Sequence, residues 1–114
     1  MSDAAEKSPL EALSDMAEAA HARMQDLHPD YEPLITVRRG MREQGIPADA
    51  MTVDCQASGK RILLILHDDY PDTLLYQMVD LATDAGNDFH QLAFDEVSAE
   101  LLFAWMEAGF VGTN

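Results

Sequence analysis

Met51-Thr52-Val53-Asp54-Cys55-Gln56, then Ser58-Gly59-Lys60, then Arg61-Ile62-Leu63-Leu64-Ile65-Leu66-His67 is the stretch on which the fold turns. In its first part, apolar Met51, Val53 and Cys55 alternate with polar Thr52, Asp54 and Gln56, the period of a half-exposed strand. In its last part, Ile62 to Leu66 are apolar at every position, so this strand is expected to lie centrally with both faces covered. Ser58-Gly59-Lys60 reads as the turn of a β-hairpin joining the two. A turn of that length pairs Ala57 with Arg61, and hence Cys55 with Leu63.

Toward the C-terminus, Asp68-Asp69-Tyr70-Pro71-Asp72 punctuates the strand and opens a helix predicted over 72–85. Its inner face would carry Leu74, Leu75, Met78, Val79 and Ala82, with Gly86 as its stop. Residues 89–94 read as a third strand. Asp95 is the expected cap of a last helix whose inner face is Val97, Leu101, Ala104, Trp105 and Ala108, ended by Gly109 with Phe110 folding back. Toward the N-terminus, a helix is predicted from Asp30 to Gly45 with Leu34, Val37 and Met41 inward. Before it, Ser8-Pro9-Leu10-Glu11 has the capping-box form. Leu10, Leu13, Ala17, Ala20, Met24 and Leu27 then form one seam that ends before Pro29. The predicted order is ααββαβα. It describes an α+β domain over residues 8–111 whose small three-stranded mixed sheet, a hairpin plus one crossover strand, is packed with helices. Residues 1–7 and 112–114 read as tails.

Charge bounds the partners. The 114 residues hold 21 acidic and 7 basic side chains, a net charge of −14. Phosphate backbones and anionic membranes repel such a surface, so direct nucleic-acid or membrane binding is not expected. No apolar run reaches the length of a membrane span, and the start has no apolar signal core, so a cytoplasmic protein is expected. A single cysteine, Cys55, excludes an internal disulfide. From Ile62 onward there are ten acids and no Lys or Arg, whereas the first 61 residues carry only −4. On the helix predicted after Pro71, Asp72, Tyr76, Asp80 and Asp84 recur at four-residue steps. They would form an acidic face with an aromatic at its centre, suited to a basic protein or simply to solvent.

Other constellations are weaker. His67, Asp68 and Asp69, with His90 from the third strand, could hold a cation if the two strands are neighbours. The plain alternative is that these acids cap the following helix. Asp68-Asp69-x-x-Asp72 shares its letters with the metal-binding pattern of terpene synthases over five residues only, and Pro71 would break the helix that pattern needs. Cys55 and His67 lie about 13 Å apart in the expected register, too far for a nucleophile and its base. No phosphate loop or serine elbow is present. Arg38, Arg39 and Arg42 stand together and suit either an acidic ligand or the chain's own surplus acids. The alanine-centred first helix suits packing on its own domain or pairing with a second copy.

The resulting expectation is a small acidic, non-enzymatic interaction protein without a cofactor. It would be a monomer or homodimer, with a basic protein partner bound by its C-terminal half. A metal- or ligand-binding module at His67, Asp68, Asp69 and His90, and a structural homodimer through the first helix, are the alternatives.

Overall fold

The turn at the centre of the decisive stretch sets the register of everything around it. Residues 56–59 form it, and Gly59 takes φ of 71°, a left-handed conformation that costs glycine nothing sterically. Cys55 pairs with Lys60 and Asp54 with Arg61, so the expected pairing of Cys55 with Leu63 does not occur. An odd shift in register changes the face of every side chain. Cys55 accordingly shares the face of Ile62 and Leu64.

A computed structural model of the chain describes residues 9–38, 40–81 and 89–111. Its elements are α1 (Pro9–Leu27), β1 (Leu34–Arg38), a single helical turn α2 (Gly40–Glu43), β2 (Ala48–Cys55), β3 (Lys60–His67), β4 (Thr73–Asp80), β5 (His90–Ala93) and α3 (Ala99–Met106). The sheet order is β1-β2-β3-β4-β5, and every neighbouring pair is antiparallel. The fold is thus α+β, as expected, but with a five-stranded antiparallel sheet in place of a three-stranded mixed one. No crossover connection is needed.

Two predicted helices account for the difference. Residues 30–45 hold β1 and the short α2 instead of one helix. Ile35, Thr36 and Val37 are consecutive β-branched residues, which lose rotamer freedom in a helix and pack well on a pleated surface. Residues 73–80 form β4. Its apolar positions 74, 75, 78 and 79 fit a helical stripe and the two faces of a strand equally well. The tie is broken by β3, whose free edge presents a row of unpaired N–H and C=O groups that a helix cannot satisfy. The ladder from Lys60–Asp80 to Ile65–Leu75 satisfies them.

One face of the sheet holds the core. Ile35, Met51, Val53, Cys55, Ile62, Leu64, Leu66, Leu74, Tyr76 and Leu92 all project toward α1 and α3. The seam of α1 behaves as its spacing implies, with Leu13, Ala17, Ala20 and Met24 fully buried. Burying a side chain such as Leu13 is worth about 1.5–3 kcal/mol. The two alanines let α1 lie close to its neighbours, and α1 packs directly on α3. Arg23 sits over the Phe103 ring at 4.2 Å, and the His28 imidazole bonds Glu107 at 2.9 Å. Four of the six seam positions are therefore buried within the chain, while Leu10 is half-buried and Leu27, at the end of the helix, is exposed.

The last helix is displaced from its expected frame. Ser98, not Asp95, is its cap, with Oγ accepting the Leu101 N–H at 3.0 Å. Asp95 lies in a 3₁₀ turn, Phe94–Glu96. Leu102, Phe103, Met106 and Phe110 are buried, while Ala104 and Ala108 face solvent and Trp105 is half-buried. Both stripes have helical spacing, and the one with the larger side chains takes the core. Winding continues past Met106 as a π-helical turn, Glu107–Val111, so Gly109 does not end it. A Cβ at Gly109 would lie 2.5 Å from the Met78 terminal methyl, the end of a flexible and exposed side chain that can move aside.

Among the described residues, no helix packs on the opposite face of the sheet. Leu63, Ile65, Leu75 and Val79 project from it half-buried, outside the core, and Leu34 at its edge is 63% exposed. All of β2 is nonetheless buried, contrary to the half-exposed strand expected. Its outward residues Ala48, Ala50 and Thr52 are short and lie low between taller neighbours on β1 and β3.

Candidate functional site

The predicted acidic face at Asp72, Tyr76, Asp80 and Asp84 depends on a helix that is instead β4. Along a strand, residues 72 and 80 stand about 27 Å apart, so their carboxylates cannot act as one patch. Asp72 is exposed on the β3–β4 turn, where its carbonyl accepts the Phe94 N–H at 2.7 Å. Tyr76 points to the helical side, stacked on Trp105 at 4.4 Å with His90 at 5.2 Å. Asp80 pairs with Lys60 at 2.6 Å. Asp84 lies outside the described residues.

His67, Asp68, Asp69 and His90 are likewise dispersed. His67 ends β3 opposite Ala48, on the face opposite the helices. His90 pairs with Tyr76 on the helical face, two strands away, or about 10 Å laterally. The His67 Nδ1 accepts the Asp69 N–H at 3.1 Å, which places its proton, when neutral, on Nε2. Among the described residues, no group of three His, Cys, Asp or Glu side chains is gathered to hold a metal ion. Cys55 and His67 are at opposite ends of the β2–β3 hairpin, and Cys55 is a fully buried core residue.

Arg42 and Asp68 meet in a groove of about 370 Å³ beside the start of α1. Arg42 bonds Asp49 through Nε and Nη2 at 2.7 and 3.1 Å, and Asp68 through Nη2 and Nη1 at 2.7 and 3.0 Å. These bonds raise the Arg42 pKa still further above its usual value, Asp68 contributing most. The hydrogen bond from Arg42 holds the Asp68 carboxyl below the usual carboxylate range. Arg42 thus takes up the chain's own acids, one of the two roles its sequence position allowed. Neither partner was identifiable beforehand, because Asp49 starts β2 and Asp68 follows β3. A second such pair, Arg61 with Asp54 at 2.7 Å, lies on the sheet face opposite the helices. Arg38, also on that face, reaches Thr52 at 3.4 Å, and Arg39 lies outside the described residues. Among the described residues, the groove lining contains no Ser, Cys or Lys, and its arginine bonds two carboxylates.

Other exposed acids collect on the helices. Glu11, Asp15, Glu18 and Asp26 on α1 are exposed, as are Asp95, Glu96 and Glu100 before and on α3. Glu107 follows, bonded to His28. Arg23 is the single Lys or Arg in these stretches, and it is engaged by Phe103. By contrast, the described charged groups on the sheet face opposite the helices are Arg38, Asp54 and Arg61, with His67 at its end. Charge is therefore divided between layers, not only between halves of the chain. No described helix is long and apolar enough to cross a membrane. Comparison with family models, with curated proteins and with solved structures finds no match.

Proposed function

We propose that this chain is a small non-enzymatic interaction protein that binds a basic protein through its acidic helical layer. The observation that carries this reading is the alignment of α1 and α3 on one side of the sheet, exposing carboxylates from both helices around a single engaged arginine. A layer of one charge sign speeds encounter with an oppositely charged surface and disfavours acidic competitors. The acids of α3 belong to the C-terminal half, and those of α1 enlarge the surface beyond it. Among the described residues, no polar cluster offers a nucleophile with its base or a metal cage, which is why binding is favoured over catalysis.

The test is affinity capture from the native cell by the immobilised chain, at low and at high salt, beside a Glu18→Gln/Asp26→Asn/Glu100→Gln variant. A protein of high isoelectric point should be retained at low salt, released as salt rises, and retained less by the variant. Equal retention by variant and wild type would remove the helical layer from consideration.

A further inference from the structure

We draw no further inference here: the strongest candidate, the groove of about 370 Å³ between the start of α1, Arg42 and the β3–β4 turn, holds a guanidinium already bonded to both of its carboxylates, and nothing in the structure shows what fills it.

Discussion

Arg42 ties together three places in the chain: its own helical turn, the first residues of β2 and the turn after β3. Asp49 is the more buried of its partners, with a side chain 11% exposed against 52% for Asp68. Removing the guanidinium leaves a nearly buried carboxylate without its counter-ion, which costs more than removing the exposed partner. Arg42→Gln should therefore lower the melting temperature more than Asp68→Asn does at neutral pH. The pH dependence has a definite sign. The folded-state pKa of Asp68 is depressed, so its contribution is complete above the ordinary value of about 3.9 and fades as pH falls through the depressed one. Melting curves of wild type and Asp68→Asn should differ at neutral pH and converge in acid. A gap that widens in acid would contradict the assignment.

Among the elements, α3 gives the sharpest test of where the chain changes structure. Ser98→Ala removes the side-chain oxygen that accepts the Leu101 N–H and should cost about 1 kcal/mol in urea denaturation. Asp95→Ala, at the position the sequence favoured, should cost markedly less. Elements with one admissible period were legible from sequence: α1, with its 3-and-4 spacing, and the β2–β3 hairpin around Gly59, whereas Ser8 of the expected capping box lies outside the described residues. β4 was not, because Leu74, Leu75, Met78 and Val79 satisfy both periods, and only the edge of β3 decides between them. β1 was hidden similarly, since Leu34, Val37 and Met41 mimic a helical stripe that three β-branched neighbours then forbid. Of the candidate sites, acidity itself was legible, but its location was not. Tyr76 and Asp80 still share a face of β4, but a rise of about 3.4 Å per residue in place of that of a helix spreads Asp72, Tyr76 and Asp80 over about 27 Å. The pairing of Arg42 with Asp49 and Asp68 needed a sheet register that no local pattern contains.

For the whole molecule, the division of charge between layers has an energetic sign. Like charges along α1 and α3 repel one another and oppose the packing that joins those helices. Added sodium chloride should screen this and raise the melting temperature, an effect scanning calorimetry reads directly. A melting temperature that falls with salt would show that the ion pairs at Arg42 and Arg61 outweigh the repulsion. The order of the sheet has a different consequence, for synthesis on the ribosome. Each strand pairs with the one made just before it, so hairpin after hairpin can zip as the chain emerges. The first helix has no such freedom. Its seam is sealed by Leu102, Phe103, Met106 and Phe110, the last parts of the core to be translated. Until Phe110 leaves the exit tunnel, a nascent chain holds a nearly finished sheet whose greasy side is still wet, and that interval is when a chaperone would have most to shield.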